Sequence, residues 1–478
     1  MSQPNPSSAT AQAEWIKLLQ ERIPSTSVDP VVRGAHGGDK WFAHAMPAAV
    51  VEPRNTGEVQ ETMRIASEFR VPVTPRGAGV GYVGGCVPVQ GGILLSLEAM
   101  GEILEIHAAD GLALVQPAVR TAALQEAVRA KHLFYPPDPA SRKDSSLGGN
   151  VATNAGGPSC LKYGVTRNYV LGLEVVLASG EILRTGGRTH KNKTGFDLTS
   201  LFVGSEGLLG VITEITLRLL PLPPGRASLS AACRDAQHAA SVVGEIFRAG
   251  FLPCALEIAD AFTLQAARAH LGQDKIPAGD AHVLIDLDGQ IESVGAEKAL
   301  LAALLEKLGV LSLRTAEGQE ACEELWELRR GFSASLRASG LTKLNEDVVV
   351  PRGRLVDLIN FAQGLQKETG FPIACFGHAG DGNIHVNVMA ADYDSTEVKT
   401  RVQEVLDRLF SQVLAWGGSI TGEHGVGLAK ARWWGLAISD VSQAVHNQVK
   451  TALDPKGILN PGKFAHTNAV HDPWCEAS

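Results

Sequence analysis

A chain of 478 residues, 45% hydrophobic and 20% charged, has the composition of a soluble globular protein and is too long for one ordinary domain, so two or three of about 150 residues each are expected. Its formal charge of −8 leaves no basic footprint and argues against a nucleic-acid partner. No apolar run reaches the roughly 20 residues of a membrane span, and MSQPNPSSAT lacks a basic stretch followed by an apolar one, so neither an integral membrane segment nor a secretory signal is expected. Cys86, Cys160, Cys233, Cys254, Cys322, Cys375 and Cys475 are odd in number and contain no CxxC pair. They read as buried small residues of a reducing compartment, with no zinc ribbon or iron–sulfur site. The expected location is cytoplasmic, with membrane association at most peripheral.

In chain order, Glu14 to Arg22 suits a short helix, and Pro53 to Arg70 places Val59, Met63, Ile65, Ala66 and Phe69 at helical spacing. The strand Val71 to Thr74 runs into Pro75-Arg76-Gly77-Ala78-Gly79-Val80-Gly81, with Gly84 and Gly85 beyond. Gly79, Gly81 and Gly84 formally satisfy GxGxxG, but a strand-like Ile93 to Leu97 follows where a Rossmann fingerprint needs a helix. The dinucleotide-fold reading therefore fails on context. A loop of closely spaced glycines can still turn several backbone N–H groups toward an anion such as a pyrophosphate; alone, it would read as a plain glycine-rich turn.

Downstream, a strand at Leu112 to Val115 precedes a helix at Thr121 to Lys131. A second run of small, hydrogen-bonding residues, Ser145 to Gly157, then follows. Val170 to Leu183 reads as a hairpin turning at Ser179-Gly180, and GSEG at 204–207 precedes the strand Val211 to Leu219. Pro221, Pro223 and Pro224 mark a domain exit. From about 225 to 450, strands alternate with long helical patterns, and no internal repeat is present.

Within that region Phe376 to Val388, FGHAGDGNIHVNV, reads as strand, turn, strand. His378 and His385 bracket the turn, and strand alternation puts His385 and Asn387 on one face. Gly422-Glu423-His424-Gly425 adds a carboxylate and an imidazole between glycines. Histidines flanking a turn are commonly hydrogen-bonded residues with no ligand. With Glu423, however, they make a His/His/carboxylate metal set, and His424 is left as a base.

In this order the motifs PRGAG, PPDP, GGNVATNAGG, KYG, GFDLTSLFVGSEG, GHAGDGNIH, GEHGVG and DPKGILNPGKF resemble the FAD-linked oxidase family of the vanillyl-alcohol-oxidase, or PCMH-type, fold. The branch is that of D-lactate dehydrogenase, D-2-hydroxyglutarate dehydrogenase and the flavin subunit of glycolate oxidase, over residues 45 to 465. The resemblance implies an α+β fold: an N-terminal segment 1–44, a two-part PCMH-type FAD-binding domain 45–223, a cap domain 224–450 with an antiparallel sheet flanked by helices, and a C-terminal segment 451–478 returning to the FAD domain. It assigns FAD to Pro75, Arg76, Gly77, Ala78, Gly79, Val80, Gly81, Ser146, Gly148, Gly149, Asn150, Thr153, Ala155, Gly156, Glu206, Gly210, Ile212 and Asn460. It assigns a divalent metal, zinc first among candidates, to His378, His385 and Glu423, the base to His424, and substrate contacts to Asn387 and to Arg329 and Ser333 of the Trp326-x-x-Arg329 segment.

Three departures stand out. Val80 and Leu208 replace hydroxyl residues common in the family, each removing one hydrogen bond of about 0.5 to 1.5 kcal/mol, and Asn345 stands where hydroxyglutarate-specific relatives hold a lysine. Lys343, two residues earlier, is the candidate replacement. No histidine follows the first glycine loop, so FAD is expected to bind noncovalently. The implied reaction is oxidation of a D-2-hydroxy acid, D-lactate-like, to the 2-oxo acid by hydride transfer to flavin. The implied acceptor is an electron-transfer flavoprotein, quinone or cytochrome, and a homodimer is compatible. Alternatives are hydroxyglutarate or glycolate chemistry, a noncatalytic flavin subunit, and a flavin-free metal hydrolase on the same His/His/Glu.

Overall fold

Asn55 starts the Thr56–Phe69 helix because its side chain accepts the Glu58 N–H, while the Glu58 carboxylate reaches back to the Arg54 N–H at 2.8 Å. Val59, Met63 and Ala66 turn inward from this helix onto Val73, Ile93 and Leu95, the first core of the chain. The computed structural model describes residues 9–465; Cys475 and the ends of both expected terminal segments lie outside that range. By contacts the chain divides into two units. Of the described residues, one comprises 9–155, 165–221 and 423–465; the other comprises Gly156–Gly164 and Leu222–Gly422.

The strands of the first unit are β1 (Thr26–Ser27), β2 (Ala49–Val51), β3 (Val73–Arg76), β4 (Ile93–Ser96), β5 (Ile103–His107), β6 (Leu112–Val115), β7 (Leu133–Phe134), β8 (Val170–Val176), β9 (Ile182–Gly186), β10 (Val211–Arg218) and β11 (Leu220–Pro221). A four-stranded sheet runs β1-β2-β4-β3 with β4 parallel to both neighbours, and an antiparallel sheet runs β5-β6-β10-β8-β9. The C-terminal chain rejoins β3, since Val73 N–H donates to Ile458 O at 2.7 Å and Asn460 N–H to Val73 O at 2.8 Å.

The second unit is built on one seven-stranded antiparallel sheet. Its strands are β12 (Gly225–Cys233), β13 (Ala255–Ala259), β14 (Ala281–Gly289), β15 (Ser312–Glu317), β16 (Thr342–Val349), β17 (Ile373–His378) and β18 (Asn383–Ala390), in the order β15-β12-β14-β13-β17-β18-β16. Two helices cover one face. Leu325 and Trp326 of Gln319–Ala338 pack on Ala255 and Leu284, while Phe332, with Leu264 of Ala261–Leu271, packs on Ala259, Ala374, Phe376 and Met389.

Some elements differ from the sequence expectation. Leu147–Thr153, within the run of small, hydrogen-bonding residues to which no element was assigned, is a helix capped by Ser146. Neither the edge strand β15 nor the Ala261–Leu271 helix was expected; β15 is largely exposed and so carries little alternation, and the helix takes its start from Asp260 accepting the Thr263 N–H. The return to the first unit begins at Glu423, where the sequence reading starts it at 451. Buried Lys450 explains part of this: its Nζ donates to Leu208 O, Asp454 and Leu459 O, tying the Asp440–Leu453 helix to the first unit. Gly156–Gly164, read as part of the FAD domain, groups with the second unit, where Lys162 and the Tyr163 hydroxyl both bind Asp288. Of the described cysteines, Cys233, Cys254, Cys322 and Cys375 are buried as expected, while Cys86 and Cys160 are half-buried.

Candidate functional site

In the first unit β3 ends in the Pro75 to Gly81 loop, which lies against the start of the Leu147–Thr153 helix. Ser146 Oγ accepts the N–H groups of Ala78 and Gly149, and a Cβ on Gly77 would stand 2.5 Å from that oxygen, so only glycine permits the approach. Asn150, buried, donates to Thr121 Oγ1 at 2.7 Å, and Thr153 Oγ1 donates to Gly149 O. Ala155 O accepts from Thr166, Gly210 packs on Val175, and Ile212 is buried in β10. Asn460 Nδ2 reaches Gly85 O and Glu206 O. Gly156 is the exception among the assigned FAD residues, since it groups with the other unit.

Two polar atoms test the fit to FAD. Arg76 Nε and Asn460 Oδ1 are buried without a hydrogen-bond partner, although groups so placed are normally satisfied. A polar ligand along this loop would supply the missing partners, so the residues present fit the cofactor. The position of Leu208 explains why a hydroxyl is dispensable there: its side chain is buried with Phe464 and Ala465, against Val426 and Trp434.

Glu206 has a role that its motif did not disclose. Its two carboxylate oxygens accept the N–H groups of Val426 and Gly427, at 2.7 and 2.8 Å, and thereby hold the loop that carries His424. Gly425 takes φ +86°, and a Cβ there would lie 2.7 Å from Glu206 Oε1. Burial raises the Glu206 carboxyl, against those two amides and the Lys463 and Lys430 charges. His424 has its ring 5.3 Å from that of Tyr82. Asp39 and Lys463 also escaped the sequence reading. Asp39 accepts from Trp41 and Gly84 and is pushed up to about 6 by burial, against those amides and the Arg76 and Lys463 charges. Lys463 is fully buried, donates to Val87 O and is pushed down to about 8 by burial, against the pull of Cys86, Glu206 and Asp39.

In the second unit strand register collects the remaining residues on one sheet face. Directly paired residues share a face, and the pairs are Glu257 with His378, Phe376 with His385, Ala374 with Asn387, Asn387 with Asn345, His385 with Asp347, and Met389 with Lys343. Phe376 is the hub: the Arg329 guanidinium lies 4.9 Å from its ring centre, Lys343 Nζ 5.9 Å and the His385 ring 5.4 Å. Arg329 and Ser333, one turn apart, reach this face from the Gln319–Ala338 helix. Ser333 Oγ accepts from Lys343 Nζ at 2.8 Å and from Arg337 at 3.1 Å. Burial, then the charges of Arg337 and Arg329, push Lys343 down to about 7. Asn387 and Asn345 each hold a side-chain oxygen without a partner, a pair of open acceptors beside His385.

His378 and His385 lie with ring centres 5.5 Å apart and nearly perpendicular. Glu423 directly follows Gly422, whose N–H donates to Asp347, and Asp347 also accepts from Asn383 and Thr421. Donor atoms of His378, His385 and Glu423 come within 4.8 Å of one another, the two histidines buried and the glutamate half-buried. Two nitrogens and one carboxylate oxygen fit Zn²⁺, and Mn²⁺ or Fe²⁺ as well.

Glu257 was missed entirely. It is 1% exposed and accepts His378 Nδ1 at 2.6 Å and Arg329 Nε at 2.5 Å. Burial pushes its carboxyl up, but His378 and Arg329 outweigh burial and bring it down to about 2. The available signal was a lone carboxylate in the apolar strand ALEIA, since an ionised group in such a strand needs partners.

Comparison with known proteins places two family profiles on the chain, "FAD binding domain" over residues 47–186 and "FAD linked oxidases, C-terminal domain" over residues 222–464. The chain is 40% identical over 420 residues to glycolate oxidase subunit GlcD of Bacillus subtilis (strain 168), covering 88% of this chain and 89% of that one. It is 33% identical over 435 residues to D-lactate dehydrogenase of Anaerostipes hadrus, covering 89% and 91%. In fold it matches 4-ethylphenol oxidase from Gulosibacter chungangensis with a TM-score of 0.78 at 21% identity, over 97% and 98% of the two chains.

Proposed function

Since the chain belongs to the FAD-linked oxidase family, we propose that it oxidises a D-2-hydroxy acid of the D-lactate kind to the 2-oxo acid. FAD is held noncovalently, and a divalent metal sits on His378, His385 and Glu423. The observation that carries this reading is that donor atoms of His378, His385 and Glu423 lie within 4.8 Å of one another, while Phe376, paired with His385, carries the Arg329 guanidinium over its ring. The flavin-free hydrolase reading gives way to the FAD-domain match. Among the described residues no helix is long and apolar enough to cross a membrane.

FAD, when held by the Pro75–Gly81 loop and the Leu147–Thr153 helix, would supply a hydride acceptor for the substrate carbon, with an electron-transfer flavoprotein, a quinone or a cytochrome as the proposed onward acceptor. A divalent cation on His378, His385 and Glu423 would supply Lewis acidity toward a substrate oxygen. Everything else falls to the protein. Arg329 keeps a fork of terminal nitrogens for the C1 carboxylate while its Nε is tied to Glu257. Asn387 lies on the same sheet face as His385, and His424 accepts the hydroxyl proton. The Phe376 and Phe332 rings line the Arg329 side and keep water from it. Purified protein is expected to be yellow and to release its flavin into the supernatant on acid precipitation. Colourless protein that FAD does not reconstitute would end this reading.

A second reading, a dicarboxylic 2-hydroxy acid such as D-2-hydroxyglutarate, is favoured by the position of Lys343 on the same face as Asn387. With the lysine held near 7, its ammonium is present below that pH and lost above it. Affinity for a distal carboxylate should therefore fall between pH 6 and pH 8, whereas a monocarboxylate should not follow that titration. On the favoured reading Lys343→Met leaves KM for D-lactate within about twofold, a surface-like effect. If D-2-hydroxyglutarate exceeds D-lactate in kcat/KM and Lys343→Met erases the difference, the dicarboxylate reading replaces it.

A further inference from the structure

We propose that Glu257 is a positioning residue that locks the substrate-binding cation and the metal-binding histidine into one rigid unit. The inference rests on the reading above, in which Arg329 meets the substrate carboxylate and His378 meets the metal. Its own support is geometric. One carboxylate oxygen, Oε1, accepts from His378 Nδ1 at 2.6 Å, and the other, Oε2, accepts from Arg329 Nε at 2.5 Å. Glu257 is 1% exposed, His378 5% and Arg329 11% at the side chain, so water does not compete for these bonds. The three residues come from three elements: β13, β17 and the Gln319–Ala338 helix.

An ionised carboxylate can only accept hydrogen bonds, so the proton of neutral His378 sits on Nδ1 and the lone pair on Nε2. This selects the tautomer that ligates through Nε2 and fixes the plane of the ring, as carboxylate partners of metal-bound histidines do. The same group fixes Arg329 by its inner nitrogen, which leaves the outer edge of the guanidinium as the recognition fork. The paired register of Glu257 and His378 makes the contact a property of the sheet. Arg329 joins it across the layer, with its guanidinium stacked 4.9 Å from the Phe376 ring centre.

Glu257→Gln tests the idea because an amide has one acceptor oxygen and one NH₂ group. Two donors face that position, so one of them must meet another donor. The variant is expected to bind Zn²⁺ about 10- to 100-fold more weakly, the usual effect of losing such a partner, as measured by chelator competition on the FAD-loaded, substrate-free protein. KM for the hydroxy acid should rise in parallel. Arg329→Lys, which leaves His378 and Glu257 paired, should raise KM and change Zn²⁺ affinity less than twofold. A merely structural role would lower thermal stability without producing that split.

Glu257→Asp keeps the charge but shortens the side chain, so it cannot span both donors; a loss of Zn²⁺ affinity there supports the proposal even if the glutamine variant fails to fold. Wild-type Zn²⁺ affinity in folded Glu257→Gln or Glu257→Asp protein overturns it. Wild-type protein that binds no Zn²⁺, Mn²⁺ or Fe²⁺ instead overturns the metal reading itself, so the two failures are distinguishable.

Discussion

His385→Ala and Glu423→Ala are each expected to abolish turnover while FAD stays bound at wild-type stoichiometry. The two residues belong to a set whose donor atoms lie within 4.8 Å of one another, and on the metal reading proposed above, losing one of three ligands would leave a divalent ion with too few fixed donors. The residues assigned to FAD around Gly77, Ser146, Asn150 and Asn460 are bonded among themselves and involve neither residue. His378→Ala should do the same to activity and should also cost stability. His378 supplies one of the two hydrogen bonds to the buried Glu257 carboxylate, and leaving a buried acceptor without its bond typically costs about 1 to 3 kcal/mol. The measurements are elemental analysis, flavin absorbance and thermal unfolding on the same preparations. Full activity in chelator-treated protein shown to be metal-free would remove the metal from the reaction.

For His424, replacement by Gln is expected to slow flavin reduction by substrate by about 10²- to 10⁴-fold, the span associated with loss of a general base. Metal and FAD content should change little, because the donor set is completed by Glu423 and because the loop is anchored elsewhere. Glu206 holds it through Val426 and Gly427, while Leu428 and Ala429 N–H groups donate to Val83 O. The two effects therefore separate cleanly: one substitution empties a metal position, and the other leaves composition intact and alters only the proton-transfer step. Stopped-flow reduction near the wild-type rate would reassign the base.

Local pattern was enough for most elements, while the candidate site residues came chiefly from the family resemblance of their motifs. The helices at 236–248, 291–307 and 319–338, and the strands on either side of the 379–382 turn, follow from helical spacing, strand alternation and turn residues that the sequence displays directly. Glycine-rich motifs singled out the candidate cofactor segments because their composition is poorly suited to packing a core.

What only the tertiary structure decided is which groups answer one another across elements. Glu257 is one carboxylate in a short apolar strand, and nothing within four residues of it signals that His378 and Arg329, 121 and 72 positions away, will close on its two oxygens. Asp347 is another such case: its bonds to Thr421 and Gly422 set where Glu423 begins. Glu206 is a third, carrying a motif that suggests a ligand contact while its carboxylate holds the His424 loop. For Glu257 the sequence determined that a charge would be buried, because its strand is otherwise apolar. The partner was left to the fold, because desolvation demands a counter-charge or hydrogen bonds without specifying where in the chain they come from.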